Sequence, residues 1–234
     1  MRSTQIALAG ATGNLGITIL KALLDAEYHV TVLSRIGGNS SKLKPHRNQT
    51  IKEVDFTSVH YLIPALQNVD VVVSCLATSV IGSQNPLIDA SVAAGVKRFI
   101  PADATKLADV AKGILGVIEN QVETANRVVY IHSALVTQNR LIQYAKDKDG
   151  KAWETFVKDT GDVRKESLAE LAKGDRADID AAMLGFSIVG CGDSNYGCDF
   201  SGHLDNELLG VKEMSEVELT MLVESYLGID TARH

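Results

Sequence analysis

Residues 5–35 read QIALAGATGNLGITILKALLDAEYHVTVLSR, in the order strand, glycine-rich turn, helix, strand. Ile6, Ala7, Leu8 and Ala9 are uninterruptedly apolar, as a central parallel strand covered on both faces requires. Leu15, Ile19, Ala22, Leu23 and Ala26 recur at helical spacing, and Leu20 and Leu24 widen that face. Between strand and helix stand Gly10, Gly13 and Gly16, spaced GxxGxxG. Such a turn makes an anion site: backbone N–H groups at the helix start point toward a pyrophosphate, and a glycine lets it approach the main chain. The spacing departs from the dinucleotide fingerprint GxGxxG, so the flanking strand and helix carry as much of the reading as the glycines. The alternative is an ordinary tight βα connection.

The alternation continues outward. Residues 29–33 form a short β-branched strand, followed by a polar, basic loop through residue 48. Residues 51–54 form a third strand ending at Asp55, and Thr57 or Ser58 caps a short helix through Leu62, Ala65 and Leu66. Residues 70–76, DVVVSCL, are a buried strand; residues 84–94 are a helix stopped by Gly95; residues 98–100 are a fifth strand ended by Pro101. Strands alternating with helices specify a parallel sheet covered on both faces. Further on, residues 107–118 are helical and 127–132, RVVYIH, read as a sixth strand. Thr137 caps a helix that Gly150 ends, 152–157 suggest an edge strand, 163–171 and 179–186 are helical, and Ser215 with Glu218 makes a capping box. The fold class is therefore α/β: a Rossmann-like doubly wound parallel sheet with a reduced C-terminal subdomain. We divide it into a nucleotide-binding core, 1–103, and a portion of one sheet strand and mostly helices, 104–234.

Bulk properties set bounds. The chain has 234 residues, 45% hydrophobic and 5% aromatic, with net charge -6. That suffices for one sizeable core, and the acidic balance argues against nucleic acid or anionic membranes as partners. The N-terminus enters a strand with no signal peptide, and no apolar run is long enough to span a bilayer, which points to a cytoplasmic protein. Disulfides among Cys75, Cys191 and Cys198 are not expected in that setting. Cys191, Asp193, Cys198 and His203 match no zinc knuckle spacing, so no metal is expected.

GATGNLG at 10–16, LSR ending at Arg35, VDF at 54–56 and LIDASVAAGVKRFIP at 87–101 together resemble the NmrA-like family, close to the isoflavone reductase-like atypical short-chain dehydrogenases. DFSGHLDNELLG at 199–210 is similar to the tail of its fungal members. The resemblance covers nearly the whole chain. It implies binding of NADP(H), or NAD(H) in regulatory members, and either reduction of small aromatic or phenolic compounds or redox-sensing regulation. One departure stands out. In the family the FIP strand leads into a Ser-Glu-Phe-Gly-like loop, then a segment with an active-site lysine. Here Pro101 runs into Ala102, Asp103 and Ala104, and the family pattern resumes near Thr105 and Lys106. An internal segment is absent, and neither Lys97 nor Lys106 matches the catalytic lysine. Catalytic residues are left unassigned.

The candidate cofactor residues follow. Gly10, Gly13 and Gly16 are the phosphate loop, with Thr12, Asn14 and Leu15 flanking it as N–H donors. Arg35 follows the second strand, where a carboxylate would favour the free ribose hydroxyls of NAD; arginine favours the 2′-phosphate of NADP, and Ser34 can add a hydrogen bond. Lys42, Lys44 and Arg47 are read as a solvated face. Asp55 and Phe56 stand where the family holds adenine, although Asp55 also suits a helix-capping role. By resemblance, Ala77 and Thr78 line the pocket toward the nicotinamide-proximal ribose, and Pro101 ends the strand beside the nicotinamide. Tyr130 and His132 are read as a packed aromatic and a hydrogen-bonded histidine. Asp199, Asn206 and Glu207 are read as local ties for the C-terminal loop. Three functions stay open: an NADP-dependent reductase of a small aromatic or carbonyl substrate, a dinucleotide-binding regulator with a protein partner, or an incomplete, inactive family member.

Overall fold

The computed structural model describes residues 4–76, 84–101, 107–193 and 200–227. The chain divides into two compact units, Met1–Ser133 with Asp205–Lys212, and Ala134–Leu204 with Glu213–His234.

In the first unit, strands β1 (Gln5–Ala9), β2 (His29–Arg35), β3 (Gln49–Val54), β4 (Val71–Ser74) and β5 (Arg98–Pro101) form one sheet, in the order β3-β2-β1-β4-β5. Every neighbouring pair is parallel. Helices α1 (Asn14–Asp25), α2 (Val59–Ala65), α3 (Gln84–Ala93) and α4 (Leu107–Glu119) cover it. Successive strand residues point to opposite faces, so each strand feeds two cores. Ile6, Leu8, Val30, Val32, Val71 and Val73 pack with Ile19 and Leu23 of α1 and with Ala111, Ile114 and Ile118 of α4. Ala7, Ala9, Leu33 and Val72 pack with Leu62 of α2 and with Leu87 and Ala90 of α3. Each valine, leucine or isoleucine among them contributes about 1.5–3 kcal/mol on burial. The unbroken apolar strands of the sequence are explained by this double coverage. The chain winds from β1 out to β2 and β3, then returns to the other side of β1 for β4 and β5. The crevice at the carboxyl ends of β1 and β4 is the switch point where open α/β sheets bind ligands.

Three expectations are corrected. Residues 127–132 are not a strand, so 104–234 contributes no strand to the sheet among the described residues. Their backbone groups bond mainly to the side chains of Asp205 and Asn206 instead of a ladder. Tyr130 N–H donates to the Asp205 carboxylate at 3.0 Å, and His132 N–H donates to Asn206 Oδ1 at 3.1 Å. Asn206 Nδ2 donates back to the His132 carbonyl at 2.9 Å, and Asp205 N–H to the Tyr130 carbonyl at 2.8 Å. Arg127 adds a bidentate pair with Asp205 at 3.0 and 2.7 Å. Leu209 and Val211 then pack with Val117 in a small third core. Asn206 is thus a long-range tie rather than the local one expected, while Asp199 lies outside the described residues. Residues 152–157 are not a strand either: they are exposed and unladdered, with Trp153 Nε1 donating to Asp149.

The second unit holds α5 (Gln138–Asp149), α6 (Thr160–Leu171), α7 (Ile179–Gly192) and α8 (Glu216–Tyr226). Their starts are capped by the side chains of Thr137, Asp159, Asp178 and Ser215, the last with Glu218 in a reciprocal box. Gly150 closes α5 at φ 66. A hydrogen bond from Tyr144 to Glu216 ties α5 to α8. No helix among the described residues is long and apolar enough to cross a membrane.

Candidate functional site

The loop after β1 is shaped by close approach. Gly10 has φ +80, and a Cβ there would lie 2.4 Å from the Cys75 carbonyl oxygen. A Cβ on Gly16 would lie 2.0 Å from the carbonyl oxygen of Gly10. Gly13 donates its N–H to the Gly10 carbonyl at 3.0 Å and is the extended N-cap of α1, with no side-chain cap. The first-turn N–H groups of α1, at Asn14, Leu15 and Gly16, have no intrahelical acceptor. Bare donors at a helix start, with the dipole's positive end behind them, suit an anion. Close packing of the loop on itself and on Cys75 requires Gly10 and Gly16, since an added Cβ would lie 2.0–2.4 Å from a backbone oxygen; the N–H groups at the start of α1 are what a pyrophosphate would meet. By this test the loop fits a dinucleotide phosphate.

A cleft of 620 Å³ opens over this loop. Of the sequence candidates, it brings together Gly10, Thr12, Gly13, Ser34, Arg35, Asp55 and Phe56. Asn14, Leu15 and Gly16 do not line it; they form the first turn of α1. Pro101 ends β5 in register with Ser74 of β4, one strand further on. Ala77 and Thr78 lie outside the described residues, as do residues 102–106 and Cys198.

Arg35 is exposed at the end of β2, and its guanidinium forms no ion pair among the described residues. Ser34 is buried, its hydroxyl donating weakly to the Arg35 carbonyl at 3.3 Å. Arg47 is engaged with Glu27 at 2.6 Å, and neither it, Lys42 nor Lys44 lines the cleft. The Asp55 carboxyl is held below the usual range by hydrogen bonds from Thr57, first its hydroxyl at 2.7 Å and then its N–H at 2.9 Å. Both bonds fall on Oδ1. The residue before α2 is Ser58, whose side chain makes no cap bond; Asp55 organises that turn instead. Phe56 is buried in the core beneath.

Sequence reasoning missed several lining residues: Ala11, Ile36, Gly38, Asn39, Thr57, Cys75 and Leu76. The signal for some was present in Gly37-Gly38. Gly37 has φ +67, and Gly38 N–H bonds back to the Arg35 carbonyl at 2.8 Å. That tight turn folds Ile36 and Asn39 over the cleft mouth. Burial pushes the Cys75 thiol up to about 12, so it stays protonated and inert.

Comparison with known proteins matches this geometry. Residues 10–145 match the family described as NAD(P)H-binding. An oxidoreductase, aprR, of Aspergillus flavus is 31% identical over 157 residues, covering 65% of this chain and 47% of that protein. An isoflavone reductase homolog of Solanum tuberosum is 33% identical over 108 residues, 43% of this chain and 35% of that protein. The chain thus spans less than half the length of the curated relatives it matches. In fold, the leucoanthocyanidin reductase–NADPH complex of Vitis vinifera superposes with TM-score 0.73 at 15% identity, over 96% of this chain and 99% of that one.

Proposed function

This chain belongs to the NAD(P)H-binding family, and on that premise we propose that it binds NADP(H) in preference to NAD(H) and serves as an oxidoreductase of a small aromatic or carbonyl compound. The observation that carries the cofactor reading is one cleft lined both by the glycine loop after β1 and by Arg35, whose guanidinium forms no ion pair among the described residues. Gly10, Thr12 and Gly13 with the first turn of α1 hold the pyrophosphate. Arg35 and Ser34 hold the 2′-phosphate, Asp55 and Phe56 the adenine. Pro101, at the end of β5, borders the nicotinamide end, to which the family resemblance also assigns Ala77 and Thr78. The adenosine and pyrophosphate contacts belong to the nucleotide-binding core, 1–103, and the substrate or partner role to 104–234.

When bound, a nicotinamide cofactor supplies a hydride; the protein must orient it and provide a proton donor. Among the described residues, the cleft's titratable side chains are Arg35, Asp55 and Cys75. Arginine stays charged, Asp55 is held ionised by Thr57, and the Cys75 thiol is pushed up to about 12. None is suited to give a proton near neutral pH. This favours a second reading, a dinucleotide-binding regulator that does no hydride transfer and answers to a protein partner. An inactive, incomplete family member is the third.

Calorimetric titration with NADPH and NADH tests the first claim. NADPH should bind at least about tenfold tighter, equivalent to ~1.4 kcal/mol, and Arg35→Asp should erase the difference. Equal affinities in the unaltered protein would sink it. Turnover with a panel of phenolic carbonyl compounds separates enzyme from regulator, a rate of about 1 per second deciding for the enzyme.

A further inference from the structure

The first turn of α4 carries a buried carboxylate that the cleft does not use. Asp109 is 2% exposed. Ser133 Oγ donates to its Oδ2 at 2.7 Å, and Lys112 Nζ stands 3.5 Å from its Oδ1. Burying a carboxylate is costly unless it is hydrogen-bonded, and the half-buried Ser133 hydroxyl is what this one grips.

The topology fixes where the pair sits. Arg98, the first residue of β5, bonds through its guanidinium to Thr124 and to the Gln121 carbonyl, just beyond the end of α4. The last turn of α4 is therefore at the amino edge of the sheet and its first turn at the carboxyl edge. α1 runs the same way: the Tyr28 phenol just past its end, raised first by burial, is raised further by Glu119 at the end of α4. The two helices pack through one core, with axes about 8–10 Å apart. The start of α4 is thus the neighbour of the phosphate-facing start of α1. Residues 127–133 then climb back along α4, since a Cβ on Gly113 would touch Ile131 at 3.0 Å. They deliver Ser133 to Asp109 at the carboxyl edge. Arg35 and Asp55 lie on the β2–β3 side of β1, whereas Val129 and Ile131, which lead to Ser133, pack in one small core with Ile100 of β5. A dinucleotide with adenosine over β2–β3 and pyrophosphate at α1 extends its other end in that direction.

We propose that Ser133, held by Asp109, is a contact for the nicotinamide–ribose end of the cofactor. Its single hydroxyl hydrogen is committed to the carboxylate, so the oxygen presents lone pairs to a donor. The carboxamide NH₂ and the ribose hydroxyls of that end are such donors. Asp109 is a positioning residue that turns the hydroxyl into a one-way acceptor. This inference rests on the dinucleotide reading above, and its test separates the two. The full chain is titrated calorimetrically with NADPH and with adenosine 2′,5′-bisphosphate, which keeps the adenosine half and lacks the nicotinamide half. Ser133→Ala should weaken NADPH by about tenfold, the scale of one hydrogen bond backed by a charge, and leave the bisphosphate unchanged. Ser133→Thr, which keeps the hydroxyl, should restore NADPH affinity. A structural role alone would move both ligands together, and that result overturns the proposal, as does NADPH affinity indifferent to Ser133→Ala. Failure of the unaltered chain to bind the bisphosphate would instead overturn the dinucleotide reading itself.

Discussion

Strand β4 and residues 127–132 look alike in sequence, VVVS against RVVYIH, yet only one is a strand. Val71, Val72 and Val73 are buried, and β4 is laddered to β1 on one side and β5 on the other. Val128 is 66% exposed, and the backbone of its segment is satisfied by two side chains from residues 205 and 206. β-Branched residues favour extended backbone, but a strand exists only where another strand offers its carbonyls and amides. The side chains of Asp205 and Asn206 supply those groups to the second segment, and they arrive from more than seventy residues away.

The largest expected effect falls beside the first member of this comparison, where the chain leaves β1, the strand to which β4 is laddered. Gly16→Ala would place a methyl 2.0 Å from the Gly10 carbonyl oxygen. Backbone cannot yield as a flexible side chain would, so we expect about 3 kcal/mol of destabilisation and loss of NADPH binding. Urea unfolding and calorimetry measure the two; an unchanged midpoint would mean that the loop and α1 are not so tightly apposed.

The second prediction breaks the other member. Asp205→Ala removes both hydrogen bonds to Arg127 and the acceptor for Tyr130 N–H. We expect about 2 kcal/mol of lost stability, with pH dependence of defined sign. Hydrogen bonding from Arg127 holds the Asp205 carboxyl below the usual range, against a burial effect that acts the other way. A depressed folded-state value contributes stability that is present above the unfolded value, about pH 4, and is lost as pH falls through the folded one. The gap between the two proteins should be constant from pH 5 to 7, on the order of that 2 kcal/mol, and close below about pH 4. A gap independent of pH would mean that the carboxylate is not the active element.

These two sites also mark what the sequence makes legible. The order of strands and helices through residue 101 and the phosphate loop are local: apolar runs, a 3.6-residue period and glycines state them directly. Arg35 and Asp55, which line the cleft, are legible because they stand at the ends of strands. The Gly38 turn that brings Ile36 and Asn39 to the cleft was signalled by Gly37-Gly38, but its direction depends on a positive φ that sequence does not orient. The tie of 127–133 to 205–206 left no periodic trace. Asp205 and Asn206 are polar residues in a loop, and only the fold brings Arg127 and His132 to them.

Asn206→Ala sharpens the comparison within the second segment. Its amide closes a reciprocal pair with the His132 backbone, but no charge is involved. We expect about 1–1.5 kcal/mol, less than for Asp205, read from urea midpoints. A loss equal to that of Asp205→Ala would assign the segment's hold to the amide rather than the ion pair.

The smallest effect comes from an ion pair that resembles Arg127–Asp205 in chemistry only. Arg47 meets Glu27 at 2.6 Å, with side chains 74% and 66% exposed. The Arg127–Asp205 pair is 39% and 12% exposed and bidentate. Exposed pairs lose their attraction to solvent screening and side-chain entropy, so Arg47→Ala should cost less than about 0.5 kcal/mol. It should also leave NADPH affinity unchanged, because Arg47 does not line the cleft and its charge is already matched. Both quantities fall out of one urea series and one titration. A tenfold fall in NADPH affinity, ~1.4 kcal/mol, would bring the basic loop between β2 and β3 into the 2′-phosphate site and leave Arg35 as one of several cations there, so that Arg35→Asp alone could no longer erase the preference.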